Sequence, residues 1–289
     1  NTHAETHRYD VAGLIRLPKA AFSQANAGAL VANPDFRPKD TLPGLLTTGS
    51  PLDTRGCAYR RKISVDGPGL QRAELGADIL AHCNQPPSDL RLMNAGNQLP
   101  YLLDQTGVER SFDLTIAEQP LENNKSRWFI ELPQRGLALS SLSVSVEEPL
   151  FSRRITLIEE VADERGDVGH RVLGSWQWSR AQDGIPERFI MPLNGHRFHS
   201  VRLILEIDNA DNPAIHVSQT RATYRAARLF FKAAPDAELY LYYGNARASQ
   251  PSYDMNVVRK EVLSIVPSEV RLGEEESLNP RPWWQPPVP

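Results

Sequence analysis

The second half of the chain repeats one pattern, in which short runs of alternating apolar and polar residues are separated by turn residues. The run 201–207 shows it well, since its apolar residues fall on one face of a strand, where side chains alternate with period two. Those residues are Val201, Leu203, Leu205 and Ile207. Similar runs recur from 128 to 243 at a spacing typical of β-sandwiches and barrels. No long segment repeats apolar residues every 3.6 positions, so the pattern predicts an antiparallel all-β protein.

The first half also reads as strands and turns from about residue 57. Two apolar runs flank Asn94-Ala-Gly-Asn97, and Asn and Gly at such a position favour a tight hairpin. A polar stretch at 119–126 is the best candidate for a domain boundary. We therefore predict four segments: an extended N-terminal segment 1–54, an N-terminal β-domain 55–122, a β-sandwich 127–254, and a C-terminal extension 255–289 with a Pro-rich tail.

Composition and charge narrow the function classes. The 289-residue chain has 40% hydrophobic and 23% charged residues, which is typical of a globular protein. Its formal net charge of −3 does not support nucleic-acid binding, which needs a basic face. No stretch approaches the about 18–20 apolar residues that span a bilayer. We expect no nucleic-acid partner and no transmembrane segment in this chain.

The two cysteines and the first residue bear on the compartment. A bond between Cys57 and Cys83 would close a loop of about 25 residues and stabilise the fold by roughly 3–4 kcal/mol. Two buried free thiols are the alternative. The chain begins with Asn1, as removal of an export signal would leave it, although a shortened sequence would look the same. We expect a disulfide and an exported protein, periplasmic or extracellular.

Residues 127–254 resemble the galactose-binding-like jelly-roll modules, of which discoidin-type domains are familiar members. The resemblance lies in the order of segments: Arg154-Ile-Thr-Leu-Ile, a strand carrying Trp176 and Trp178, and a strand beginning at Arg197. It implies an all-β fold of two β-sandwich domains, the C-terminal one a galactose-binding-like jelly roll.

Further segments are similar to a family of uncharacterised bacterial envelope proteins. These are Asp208-Asn-Ala-Asp-Asn-Pro, Leu241-Tyr-Tyr-Gly-Asn-Ala and Tyr253-Asp254, together with Tyr59-Arg-Arg-Lys-Ile-Ser-Val nearer the N-terminus. In that family a sandwich of this kind follows an N-terminal β-domain. The resemblance implies an exported protein and carries no established activity.

No catalytic motif stands out in the sequence. It contains no Gly-x-Ser-x-Gly elbow, no His-Glu-x-x-His, no phosphate-binding loop and no Cys-x-x-Cys. A triad of distant residues would leave no such trace, so a carbohydrate-active enzyme stays open as a second alternative. We expect a protein that is not an enzyme.

Two tryptophans form the candidate ligand site. Trp176 and Trp178 lie two apart and therefore share one face of a strand. If that face is exposed, the indoles form a platform for sugar rings, with Arg180 and Asp183 as polar contacts. The competing interpretation places both rings in the core of the sandwich.

An acidic turn is the candidate metal site. Four oxygen-bearing side chains within 208–212 suit a hard cation such as Ca²⁺: Asp208, Asn209, Asp211 and Asn212. Asp and Asn also form tight turns with their own backbone, and Pro213 favours that interpretation. We expect no cofactor other than a possible structural calcium.

Exposed aromatic residues are the candidate contacts with a partner. Tyr240 and Tyr242 share one strand face, and Trp283 and Trp284 stand among prolines near the C-terminus. Paired exposed indoles are unfavourable unless another surface covers them. We therefore expect a non-catalytic structural or assembly subunit that contacts other envelope proteins or a larger complex. A carbohydrate-binding module that recognises glycans is the first alternative.

Overall fold

The computed structural model describes residues 42–278, apart from 43, 123, 163–164, 166, 182–187 and 235–236, and gives only the backbone of 121–122. Most of the predicted N-terminal segment and the Pro-rich tail lie outside these residues. Over the described ranges the protein is almost entirely β, as the sequence predicts. Its strands form three sheets, which build two sandwiches.

The first sandwich packs a five-stranded sheet against a four-stranded one. Leu92 and Leu241 from one sheet and Leu229 and Phe231 from the other are buried in its core. In spatial order the five-stranded sheet contains β17 (Arg271–Ser277), β1 (Tyr59–Ser64), β15 (Leu239–Tyr243), β3 (Arg91–Asn94) and β4 (Asn97–Gln98). The four-stranded sheet contains β16 (Ser268–Glu269), β2 (Gly69–Leu75), β14 (Ala227–Ala233) and β5 (Tyr101–Asp104).

The second sandwich is an eight-stranded sheet folded into two layers. Its strands in spatial order are β10 (Val168–Arg180), β9 (Phe151–Ala162), β12 (Arg202–Asp208), β7 (Lys125–Glu131), β6 (Glu109–Glu122), β13 (Val217–Arg225), β8 (Ala138–Val146) and β11 (Arg188–Arg197). The long strand β6 joins the layers, because its first half pairs with β13 and its second half with β7. This arrangement agrees with the predicted jelly-roll fold.

The alternating pattern explains the core of the second sandwich. Leu203, Leu205 and Ile207 on β12 are fully buried, as period two predicts, whereas Val201 precedes the strand and is 40% exposed. Across the core, Leu142 on β8 and Met191 on β11 are also fully buried. Each such aliphatic side chain contributes about 1.5–3 kcal/mol when it leaves water.

The sheets divide the chain differently from the predicted boundaries. The polar stretch 119–126 is the tip of the β6–β7 hairpin, where Glu122 faces Lys125. Residues near 227–243 and 268–277, assigned from sequence to the jelly roll and the C-terminal extension, pair instead with the first sandwich. The jelly roll, 109–225, is therefore inserted into the first sandwich. The period-two pattern identifies strands but does not say which sheet they join.

The predicted hairpin at 94–97 is confirmed. Met93 faces Gln98 and Asn94 faces Asn97 in the register of β3 and β4. Between them Ala95 and Gly96 both have positive φ, 46° and 83°. Two positive φ values give the turn a twist that matches the flanking strands.

Two short α-helices and a 3-10 helix complete the described fold. α1 (Ala77–His82) lies between the sandwiches, with Ile79 buried in the first core and Ala81 in the second. A 3-10 helix (Asp254–Val258) and α2 (Arg259–Ser264) place Met255 and Val262 against the outer side of the four-stranded sheet. No helix among the described residues has the length and hydrophobicity that crossing a bilayer requires.

The sandwiches are held together by specific contacts around α1. Arg110 on β6 forms a two-pronged ion pair with Glu74 on β2, at 2.6 and 2.9 Å. The chain passes from one sandwich to the other twice, before β6 and after β13, and we call these two segments the chain crossings. They lie side by side, since the Ala226 N–H donates to the Val108 carbonyl at 2.8 Å. These contacts fix the geometry of the surface at the junction.

Candidate functional site

The tryptophan pair points into the jelly roll. A register shift between Val172 and Gly174 on β10 places Trp176 and Trp178 on the core side. Trp178 is only 5% exposed and stacks on Phe189, with 5.0 Å between ring centroids. The indoles pack the core and do not form the exposed platform considered from the sequence. The reason is the size of the two-layer core, which needs large apolar side chains.

Neither polar residue predicted to flank that platform is seen beside an exposed ring. Arg180 is buried, and its Nη1 donates to the carbonyls of Val146 and Glu148, each at 2.8 Å. Its guanidinium also lies 5.6 Å from the centre of the Phe151 ring. Arg180 therefore holds the end of the core together. Asp183 lies outside the described residues.

The side chains of the acidic turn mostly bind the turn itself. Asp208 Oδ1 accepts a hydrogen bond from the Ala210 N–H at 3.0 Å, and Ala210 has φ of 48°. Asn209 is buried and donates from Nδ2 to Ser126 Oγ at 2.7 Å. Asn212 Nδ2 lies 3.4 Å from the Asn209 carbonyl, while Asp211 is exposed. Asp208 and Asn209 thus point to different partners, as the tight-turn interpretation expects, and a structural calcium stays an untested alternative.

The predicted partner contacts lie only partly within the described residues. Tyr240 and Tyr242 on β15 face outward from the five-stranded sheet and are half-buried. The guanidinium of Arg60 covers the Tyr240 ring at 4.8 Å, and the Tyr240 hydroxyl donates to Glu238 at 3.0 Å. Neighbouring side chains therefore already contact the ring and the hydroxyl of Tyr240. Trp283 and Trp284 lie outside the described residues.

The predicted disulfide is absent. Cys57 and Cys83 are both buried and both free thiols. Burial raises the pKa of Cys57, and it raises the pKa of Cys83 further, with Asp89 acting in the same direction. Cys83 packs in the first core as a small apolar residue. The alternative of two buried thiols, left open by the sequence, is the one observed.

A buried carboxylate closes the end of the jelly-roll core. Glu159 on β9 is fully buried, and its Oε1 accepts from the backbone N–H groups of His199 and Ser200 at 2.6 and 3.1 Å. Its Oε2 contacts the guanidinium of Arg171 and lies 3.3 Å from His196 Nε2. Burial alone raises the pKa of Glu159, but these hydrogen bonds outweigh it and hold the pKa below its usual range.

Sequence reasoning missed Glu159, although a signal was present. The apolar face of β9 carries Phe151, Ile155 and Leu157, and Glu159 is the next residue on that face. An acid in such a position must find hydrogen-bond donors, because an unpaired buried charge is strongly unfavourable. The nearby loop supplies them, so the cluster anchors the connection between β11 and β12.

One edge of the jelly roll is open over part of its length. β10 is a terminal strand, and every residue of 168–172 is exposed. Val168 and Val172 are 63% and 61% exposed, and they lie on the same face two positions either side of His170. Exposed apolar residues on an edge strand are characteristic of a site where another strand adds.

A groove lies at the junction of the sandwiches and has a volume of about 650 Å³. Residues of α1 and of the loop after it form one wall, and the beginning of β8 and the bend of β11 form another. The chain crossings near Gln105 and Ala226 form the floor. Its size is within the range of small-ligand sites.

The comparisons with known proteins show little. No protein-family model matches the sequence, and no curated protein matches it. The chain is similar to the structure of TmCBM61 in complex with β-1,4-galactotriose, with 8% identity, 50% of this chain and 88% of that chain covered, and a TM-score of 0.15. It is also similar to the VP2 subviral particle of infectious bursal disease virus, with 10% identity, 61% of this chain and 49% of that chain covered, and a TM-score of 0.17. Such low TM-scores carry no functional conclusion.

Proposed function

We propose that this protein is a non-catalytic, exported structural subunit that assembles through protein–protein contacts, and that one contact is the pairing of β10 with β10 of a second copy. The observation that carries the proposal is the open edge at 168–172, where two valines are each more than 60% exposed. Export is supported by the resemblance to envelope proteins described above.

The open edge is suited to pairing with itself. An antiparallel pair centred on His170 would place Val168 of each copy opposite Val172 of the other. Both contacts would remove apolar surface from water, at about 25 cal/mol per Å². The same pairing would satisfy backbone groups that an edge strand leaves without a partner.

Two polar side chains of the edge lie beside acids on the neighbouring strand. Arg171 contacts Glu159, and His170 Nε2 lies 3.7 Å from Glu160 Oε1. A charge on an edge strand usually discourages pairing, but here Glu159 on β9 holds the Arg171 guanidinium. This arrangement leaves Val168 and Val172 as the main exposed features of the edge.

An apolar row runs inward from the edge across the outer face of the sheet. Val172 faces Ile158, Ile158 faces Ile204, and Ile204 faces Phe129 in successive strand registers. The guanidinium of Arg202 covers Phe129, with 5.0 Å to the ring centre. Pairing of two copies would extend this row across the contact.

Sedimentation equilibrium over a range of protein concentrations tests the proposal. We expect a monomer–dimer equilibrium that Val172→Lys shifts to monomer, because two lysines would then lie at the contact. Ile190→Lys is the matched control, since Ile190 is 60% exposed on the opposite edge strand β11. A wild-type protein that stays monomeric, or a dimer unaffected by Val172→Lys, would overturn the proposal.

A further inference from the structure

The groove between the sandwiches is lined by several polar side chains that make no hydrogen bond among the described residues. The strand that carries the two tryptophans does not form such a site. Gln85, Gln105 and Asn194 line it with three side-chain amides. All three residues are exposed, and their side chains make no hydrogen bond with the described part of the protein. Each amide can donate and accept at once, which is the pattern needed to bind the hydroxyl groups of a polyol.

The charged residues of the groove balance each other. Glu109 and Arg225 face each other in the register of β6 and β13, and both line the groove. No ion pair joins these two side chains, so the carboxylate and the guanidinium keep hydrogen-bonding capacity for a ligand. Their charges cancel, and the lining holds no other charged residue. The groove therefore favours a polar ligand without net charge.

Tyr224 adds an aromatic ring and a hydroxyl to the same wall. Its hydroxyl lies near the Ala77 backbone N–H, and the hydroxyl hydrogen can donate to a ligand. The ring packs beside Phe112, with 6.0 Å between centroids, and is thereby held in place. Burial raises the pKa of Tyr224, so the hydroxyl stays protonated at neutral pH.

The walls of the groove are held in place before any ligand arrives. Asn194 and Gly195 have φ of 53° and 77°, in a bend of β11 that interrupts its pairing with β8. The Arg110–Glu74 ion pair and the Ala226–Val108 hydrogen bond fix the floor. A site that is already ordered loses less entropy when it binds.

We infer that this groove binds a short, neutral oligosaccharide through the amides, the Glu109–Arg225 pair and Tyr224. The apolar part of the lining, with the partly exposed Leu80 and Ala138, would contact the less polar faces of the sugar rings. The inference is independent of the proposed self-association, because the groove and the β10 edge share no residue.

The first test is binding to a panel of neutral oligosaccharides, namely hexaoses of glucose, xylose, mannose and galactose in α and β linkages. Hexagalacturonate serves as an acidic probe and chitosan hexamer as a basic one. We expect at least one neutral hexaose to bind by calorimetry, and the charged probes to bind more weakly. Failure of every neutral hexaose, or tighter binding of a charged probe, would overturn the inference.

Matched variants then locate the site with the hexaose that binds. We expect Gln105→Ala and Tyr224→Phe each to weaken binding about tenfold, as loss of one hydrogen bond to a ligand does. Gln177→Ala and Tyr242→Phe are controls on other surfaces, and Val172→Lys should also bind normally. Equal affinity of the groove variants and their controls would overturn the assignment, whatever the oligomeric state.

Discussion

Arg197, the last residue of β11, donates a hydrogen bond from Nη2 to the carbonyl oxygen of Ala81 in α1, at 2.7 Å. Gly136 approaches the same carbonyl from the loop before β8, and a Cβ at position 136 would overlap that oxygen. A single peptide group of α1 therefore meets the jelly roll from two sides. This contact links the core of the first sandwich to that of the second.

The first prediction concerns Gly136, which has φ of +83°. Gly136→Ala should lower the free energy of unfolding by about 2–4 kcal/mol, because the left-handed backbone and the overlap with Ala81 both oppose a side chain. Gly107→Ala is the control, with the same φ and open space around it, and should cost about 1 kcal/mol. Denaturant unfolding measures both, and equal losses would contradict the role of the Ala81 contact.

The second prediction concerns pH. Because the pKa of folded Glu159 lies below its unfolded value of about 4.3, the ionised group stabilises the fold above that pH. This stability is lost as the pH falls through the folded pKa. Glu159→Gln should lower stability at neutral pH by about 1–3 kcal/mol.

The same variant should lose less stability than the wild type on further acidification below about pH 4.3, since it has no carboxylate to protonate there. Denaturant unfolding at several pH values measures the difference. Glu131 is exposed, and Glu131→Gln is the control. Its free energy of unfolding should change with pH as steeply as that of the wild type. If the free energies of unfolding of Glu159→Gln and the wild type fell in parallel with pH, Glu159 would contribute nothing to acid unfolding.

The third prediction separates a core tryptophan from a ligand platform. Trp178→Ala should destabilise the protein by about 3–5 kcal/mol, because it empties a large volume beside Phe189. Leu150→Ala, at a residue that is 70% exposed, should change stability by less than about 0.5 kcal/mol. Thermal and denaturant unfolding measure both. If the Trp178→Ala protein were as stable as the Leu150→Ala protein, the interpretation of the tryptophans as an exposed platform would be favoured again.

The fourth prediction concerns the thiols. Cys57 and Cys83 are buried, and burial raises the pKa of each, so neither should react quickly with a disulfide reagent in the native protein. After unfolding in denaturant without reductant, two thiols per chain should titrate. Fewer than two would mean that the cysteines are bonded.

The fifth prediction concerns the acidic turn. Since Asp208 and Asn209 bind the turn and Ser126, we expect Ca²⁺ to leave the melting temperature of chelator-treated protein unchanged. Asp208→Ala should cost about 1 kcal/mol through loss of the hydrogen bond to the Ala210 N–H, with or without Ca²⁺. Calorimetry measures both, and a rise in melting temperature on adding Ca²⁺ would establish the metal site.

The sequence predicts the class of fold well because alternation and turn residues act locally. Leu203, Leu205 and Ile207 and the hairpin at 94–97 are where those patterns place them. The insertion was not predictable in this way, because β14 and β15 look like any other half-buried strands. The groove was also missed, since Gln105 and Arg225 are far apart in sequence and meet only where the two chain crossings lie side by side.

Glu109 and Arg225, the first residue of the jelly roll and its last, face each other on neighbouring strands. The chain therefore leaves its host and returns to it at almost the same point. A whole sandwich could be removed there and the gap closed by a short turn, or another module of similar entry geometry could be substituted. The host sheets would keep their strand order in either case, because their described strands pair with one another and not with those of the jelly roll.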